Sequence, residues 1–179
     1  MTLIAGSKAP DFTTNDQDGK EVTLVGLRGK KVILYFYPRD MTPGCTAESC
    51  SLRDHYKTLQ QAGYEVLGIS TDNEKSHRKF IEKENLPFRL LTDEDKTVHN
   101  KYGTWVEKSL YGRKYMGTAR VTFIIDEHGI ISEVIDKVDT RNHAEQILVS
   151  TAIMPADKPK PIKKKAAKAV KKVAQKKSK

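Results

Sequence analysis

The sequence predicts an α/β domain of the thioredoxin-like class, with a mixed central sheet flanked by helices and an N-terminal β-hairpin. Three observations lead there. Two apolar runs, Lys31–Tyr37 and Tyr64–Ser70, have the composition of strands buried on both faces. Each is followed by a stretch with helical spacing, as in a parallel β-α-β unit. Two further strand-like runs then meet at Glu127-His128-Gly129, a hairpin turn signal, before a closing helix. The order β-α-β-α, hairpin, α requires strands of both directions in one sheet.

The elements follow in chain order. Asp11–Thr14 and Glu21–Val25 read as a strand pair around a turn at Asp18-Gly19. Lys31–Tyr37 is the first buried strand, ended by Pro38. Thr42-Pro43-Gly44 opens a helix that runs to about Gln61, with Leu52, Tyr56 and Leu59 spaced for one face and Gly63 as its stop. Tyr64–Ser70 is the second buried strand and Glu74–Glu84 the second helix, closed before Pro87. Phe88–Leu91 is a short strand, and Asp95–Tyr102 a helical turn or two. Trp105 falls in a loop and reads as a packing residue or the edge of a pocket. Arg120–Asp126 and Ile130–Ile135 form the late hairpin, and Asn142–Ala152 the closing helix. Asp93 and Asp126 close strands and are expected in turns, while His55 and His99 read as surface or packing residues.

Charge divides the chain in two. Residues 155–179 hold 11 Lys and one Asp, a net of +10. Residues 1–154 hold 21 Lys and Arg against 22 Asp and Glu, a net of −1. The expected organisation is therefore a near-neutral domain over 1–154 and a Lys/Ala/Pro-rich tail over 155–179. The tail buries too little apolar surface to offset its ordering entropy and is expected to be disordered when free. Eleven lysines suit either a solubilising extension or a segment that binds phosphate backbones without sequence preference. The N-terminal residues lack the basic start and apolar run of a secretory signal, and no stretch nears the roughly 18 apolar residues of a membrane span. A cytoplasmic protein without a membrane partner is expected, with a DNA-associated location open through the tail. In that reducing compartment the two cysteines are either inert core residues or redox-active.

The segment Pro38-Arg39-Asp40-Met41-Thr42-Pro43-Gly44-Cys45 carries the chemistry. Pro43 suits the first position of a helix, which makes Thr42 the N-cap and puts Cys45 at the third position. There the sulfur meets unpaired N–H groups and the positive end of the helix dipole, both favouring a thiolate. The Thr42 hydroxyl has acceptors enough to cap an N–H and a proton to donate to the sulfur. Lowering a thiol pKa from about 8.5 to about 6 raises the thiolate fraction roughly thirtyfold, but nucleophilicity falls with it. A fast reaction thus also needs a cation or N–H donors that activate the electrophile.

Cys50 lies five residues on. In an ideal helix that spacing turns the side chain by about 140° and separates the Cα atoms by about 8.7 Å, beyond the usual disulfide range. If the two sulfurs bond, the first turns of the helix must unwind. Several readings remain open from the residues alone. The cysteines suit two buried structural thiols on an ordinary helix. Zinc is poorly served, because Cys-x₄-Cys supplies two ligands and the five His are scattered. A thioredoxin-like disulfide reductase would use Cys-x-x-Cys, which is absent. A nucleic-acid-associated protein with incidental cysteines would rest on the tail.

The pattern Pro38, Thr42, Cys45, followed by Cys50 and Leu52-Arg53-Asp54 and later by Gly117-Thr118-Ala119-Arg120-Val121-Thr122-Phe123, resembles the peroxiredoxins of the Q-type, or bacterioferritin comigratory, class. The resemblance extends from residue 3 to about 152. It implies a peroxidase in which Cys45 attacks the hydroperoxide and Cys50 resolves the oxidised sulfur. It also implies that Thr42 and Arg120 hold the peroxide oxygens and the thiolate, and that Pro38 shields the sulfur from water. Recycling by thioredoxin or a similar dithiol protein, a monomeric state, and no metal, haem or flavin cofactor follow from the same resemblance. The Lys-rich tail is not part of the family pattern.

Overall fold

The computed structural model describes residues 3–153; the Lys-rich segment 155–179 lies outside them. The elements are β1 (Thr13–Asn15), β2 (Glu21–Thr23), β3 (Lys31–Phe36), α1 (Pro43–Asp54), α2 (Tyr56–Gln61), β4 (Tyr64–Ser70) and α3 (Glu74–Glu84). They continue with β5 (Arg89–Thr92), α4 (Thr97–Tyr102), β6 (Trp105–Leu110), β7 (Arg113–Thr118), β8 (Val121–Ile125), β9 (Ile131–Ile135) and α5 (His143–Ser150). The central sheet has five strands in the order β5-β4-β3-β8-β9. β3, β4 and β5 run parallel, whereas β8 is antiparallel to both β3 and β9. This is the mixed sheet expected, and β1–β2 is the expected N-terminal hairpin.

Alternation along β3 explains why its run is apolar throughout. Ile33, Tyr35 and Tyr37 enter a core with Leu52, Leu59, Phe80 and Ile147, under α1, α2, α3 and α5. Val32, Leu34 and Phe36 enter a second core with Phe12, Val22, Val98 and Tyr102, under the N-terminal hairpin and α4. A strand covered on both faces has no solvated side to mark with polar residues. Gly68 in β4 is required by this packing, since a Cβ there would stand 2.7 Å from the Tyr35 ring and from Leu90. Cys45 belongs to the first core.

Two elements differ from expectation. The helix after Thr42 breaks at His55, with φ −110° and ψ 6°, into α1 and α2. There the His55 ring donates through Nδ1 to the Ser51 carbonyl at 3.1 Å, the acceptor that the His55 amide would take in a continuous helix. The Trp105 region is a hairpin and not a loop, with β6 and β7 paired from Trp105–Thr118 to Leu110–Arg113. Its turn puts Tyr111 at φ +49° and Gly112 at φ +77°, a two-residue turn that usually has Asn or Asp before Gly. The hairpin is exposed over most of both faces, so its sequence lacks the two-residue alternation that marks half-buried strands.

Candidate active site

The site is built where β3 hands the chain to α1. Asp40 fixes the connecting loop: its carboxylate accepts from the Tyr37 hydroxyl at 2.7 Å, the Ser76 hydroxyl at 2.7 Å and His77 Nδ1 at 2.9 Å. The Asp40 amide donates to Asp72 at 2.8 Å. Met41 turns the chain at φ +58°, and Thr42 then stands extended as the N-cap of α1 with Pro43 at its first position. Cys45 therefore occupies the third helical position, as expected, and is 1% exposed. The Thr42 side chain departs from expectation. It caps no N–H, and its hydroxyl donates to the Arg39 carbonyl at 3.0 Å. The hydroxyl's one proton is thus used in turning the loop, and the first-turn N–H groups near the sulfur stay unclaimed by it.

Arg120 reaches this point from the short link between β7 and β8. The link is held by the Ala119 amide on the Thr104 carbonyl at 2.7 Å. Arg120 Nη2 donates to Cys45 Sγ at 3.3 Å, and Nη1 donates to Glu48 Oε2. Gly44 leaves room for this approach, since a Cβ there would sit 3.3 Å from Nη2. Glu48 is fully buried one turn beyond Cys45, and burial lifts its carboxyl to about 7 against the opposing pull of Arg120. Lys108, projecting from β6, donates to the Thr118 carbonyl. Burial lowers the Lys108 pKa first, and the Arg120 charge lowers it further. The buried sulfur thus faces a bonded guanidinium, with a second cation beside it.

Cys50 lies on the same helix but points elsewhere. Its Sγ is 3.6 Å from Glu84 Oε2 at the end of α3. Burial raises its pKa, Arg53 opposes that rise and Glu84 adds to it. Both cysteines are free thiols, and no break in α1 separates them. Pro38 is half-buried directly after Tyr37. Of the five residues expected at the site, the structure joins Cys45 to Arg120, sets Thr42 at the cap, and leaves Cys50 on another side of the helix.

Sequence reasoning missed Glu48, Asp40 and His77. Glu48 carried a signal, because three residues from Cys45 and four from Leu52 it shares their buried helix face. Asp40 and His77 are brought together only by the alignment of β3, β4 and β5. Trp105 packs edge-on against His99, and Asp93 accepts the amides of Val98 and His99 at the start of α4. Asp126 accepts the amides of His128 and Ile130 in the β8–β9 turn, as expected. His99 is fully buried and His55 partly so. Among the described residues, no cluster of His, Cys, Asp or Glu could hold a metal ion, and no helix is long and apolar enough to cross a membrane.

The AhpC/TSA family model matches residues 5–134. The chain is 50% identical over 148 residues to a putative peroxiredoxin bcp of Coxiella burnetii, covering 83% of this chain and 98% of that one. It is 48% identical over 146 residues to peroxiredoxin Bcp of Escherichia coli K12, covering 82% and 94%. Among solved structures, peroxiredoxin Q of Xanthomonas campestris matches with a TM-score of 0.77 at 31% identity, over 83% of this chain and 96% of that one. The bacterioferritin comigratory protein of the same organism, studied for alkyl peroxide reduction, matches with a TM-score of 0.77 at 30% identity, over 83% and 97%.

Proposed function

The chain belongs to the AhpC/TSA family and is a thiol-dependent peroxidase of the Bcp peroxiredoxins, and from that premise we propose that Cys45 is its peroxidatic thiol and Cys50 its resolving thiol. The observation that carries this reading is the guanidinium of Arg120 on the sulfur of Cys45 at 3.3 Å, at the third position of α1. A thiolate is stabilised there by the cation, the helix dipole and the free first-turn N–H groups.

The Cys45 thiolate attacks the terminal oxygen of a hydroperoxide. An S–O bond forms, the O–O bond breaks, and the departing alkoxide or hydroxide takes a proton to leave as alcohol or water. Arg120 stabilises the charge that develops on that oxygen. Thr42 fixes the helix start and so places the sulfur, with its hydroxyl on the loop and not on the thiolate. Pro38, ahead of the loop, limits the approach of water. The sulfenic acid then meets the Cys50 thiolate, which displaces hydroxide and forms the disulfide before further oxidation. Because the Cys45 and Cys50 sulfurs engage Arg120 and Glu84 respectively, the first turns of α1 unwind in this step. A dithiol protein of the thioredoxin kind returns both cysteines to thiols while its own pair becomes a disulfide.

Alkyl hydroperoxides are included with hydrogen peroxide among the substrates, in keeping with the Xanthomonas campestris relative. The enzyme acts as a monomer without a metal or organic cofactor. The 155–179 segment, with 11 Lys, retains the enzyme near nucleic acid through phosphate contacts that weaken steeply with salt. Intact mass after one equivalent of peroxide tests the cycle. Wild type is expected to lose two hydrogens, Cys50→Ser to gain one oxygen, and Cys45→Ser to stay unchanged. A Cys45→Ser protein that still consumes peroxide at the wild-type rate would overturn the assignment.

A further inference from the structure

Behind Arg120 lies a polar arrangement that the reaction above leaves unused. Glu48 Oε1 is the one buried side-chain nitrogen or oxygen among the described residues that has no hydrogen-bond partner. Facing it at 3.8 Å is Nε2 of His143, the first residue of α5, itself fully buried. The neighbours of His143 fix its tautomer. Gln146 accepts the Asp139 amide through Oε1 at 3.1 Å and donates through Nε2 to the Lys137 carbonyl at 2.8 Å, which sets the orientation of its amide. The same Oε1 lies 3.2 Å from His143 Nδ1, so Nδ1 carries the hydrogen. In the neutral ring Nε2 is then an acceptor, and it takes the Thr122 hydroxyl at 2.8 Å. A carboxyl oxygen without a donor thus faces an imidazole nitrogen whose one lone pair already serves Thr122, out of contact with water. A buried carboxylate oxygen with no donor is costly, and a proton on Glu48 reduces that cost.

We propose that Glu48 carries a proton behind Cys45 because His143 offers its second oxygen no donor, and that this proton sets how much of the Arg120 charge reaches the sulfur. The inference rests on the reading of Cys45 as the reactive thiol. With the proton in place Glu48 is neutral, and the guanidinium is left to the thiolate. Without it, the carboxylate offsets Arg120 and adds a negative charge one helical turn from Sγ. Glu48 and His143 are positioning residues that act through Arg120.

The surroundings favour the protonated form. The charged and titratable groups that face the pair are Arg120 before β8, Cys45 on α1, Tyr35 from β3, and Asp139 ahead of α5, with Lys108 beyond Arg120. Burial raises the Tyr35 pKa well above its ordinary value, so its hydroxyl stays neutral beside Ser49. Burial lifts Glu48 to about 7 and drives His143 down to about 4, so the proton resides on the carboxyl. The sign follows from Glu48 being raised from 4.5. The stability it contributes to the folded state is fully present below that value, shrinks as pH rises and is lost through about 7.

The test uses the reduced Cys50→Ser protein and no peroxide, so that it stands apart from the peroxidase assignment. Carbon-13 NMR of labelled glutamate is expected to show one carboxyl with a midpoint near 7 that disappears in Glu48→Gln. Alkylation of Cys45 by iodoacetamide is expected to run equally with and without the Glu48→Gln substitution below about pH 6, where the carboxyl is already neutral. Between about pH 7 and 8 the Glu48→Gln protein reacts up to about tenfold faster, because the carboxylate that offsets Arg120 beside the sulfur is gone. Superimposable alkylation profiles, or glutamates that all titrate in the ordinary carboxylate range, would overturn the proposal. Nitrogen-15 NMR of His143 needs no variant at Glu48. A neutral ring protonated on Nδ1 down to about pH 5 agrees with the proposal, and a charged ring or an Nε2–H tautomer at neutral pH refutes it.

Discussion

The two halves of α1 are held by different kinds of contact. From Pro43 to Cys50 only Cys45 enters the apolar core, and the other ties are polar: Arg120 on Cys45 and Glu48, and the Tyr35 hydroxyl 3.0 Å from that of Ser49. From Ser51 to Asp54 the helix is anchored to its neighbours. The Ser51 hydroxyl accepts the Ala144 amide at 3.0 Å, which caps the buried start of α5. Leu52 is wholly buried, and Arg53 Nη1 donates to the Glu84 carbonyl at 2.6 Å at the end of α3. The first half can exchange its few polar bonds for water when it opens. The second half would expose apolar surface, which water does not compensate. Cys50 stands at the boundary, so a helix that opens from its start carries Cys45 toward a sulfur that stays in place.

This contrast can be broken from either side. Arg120→Lys has the largest expected effect. A lysine is a point charge and cannot bond Cys45 and Glu48 together, so kcat/KM for hydrogen peroxide should fall by about 10²–10³. Steady-state turnover at saturating reductant measures it, and a loss below threefold would show that the guanidinium fork is dispensable. Ser51→Ala attacks the anchored half. It leaves the Ala144 amide buried without an acceptor and should cost about 1–3 kcal/mol in urea unfolding, while the rate of Cys45 oxidation stays within about twofold. A variant as stable as wild type would remove Ser51 from the anchor. Glu84→Gln is the smallest change. Burial is the main reason that the Cys50 thiol is raised, and the Glu84 charge is a lesser one, so the variant should move disulfide formation to slightly lower pH. Quenched intact mass across pH would detect it, and a shift to higher pH would contradict the assignment of causes.

Much of this helix was legible in the sequence. Pro43 and the extended Thr42 before it fix where the helix starts, and the start fixes Cys45 at the third position, because these are local constraints of backbone geometry. The buried strands were legible because β3 and β4 are covered on both faces. The ties of α1 were not legible as pairs. Arg120 with Cys45, Ser51 with Ala144 and Glu48 with His143 each join residues more than 70 positions apart, and only the order of β3, β8 and β9 brings them together. The β6–β7 hairpin escaped for a different reason. Its strands are mostly exposed and its turn is led by Tyr111, which is 98% exposed and at positive φ, so neither periodicity nor turn chemistry announced it.

The claim that joins these observations is that oxidation opens α1 from its start and stops near Cys50. Amide hydrogen exchange of the wild-type protein, before and after one equivalent of hydrogen peroxide, tests it most directly. The account predicts that the amides of residues 46–54, whose acceptors are the carbonyls of the opened turns, lose protection once the disulfide forms, while the Ala144 amide on Ser51 keeps its own. A disulfide-bonded protein with unchanged protection across 46–54 would contradict it.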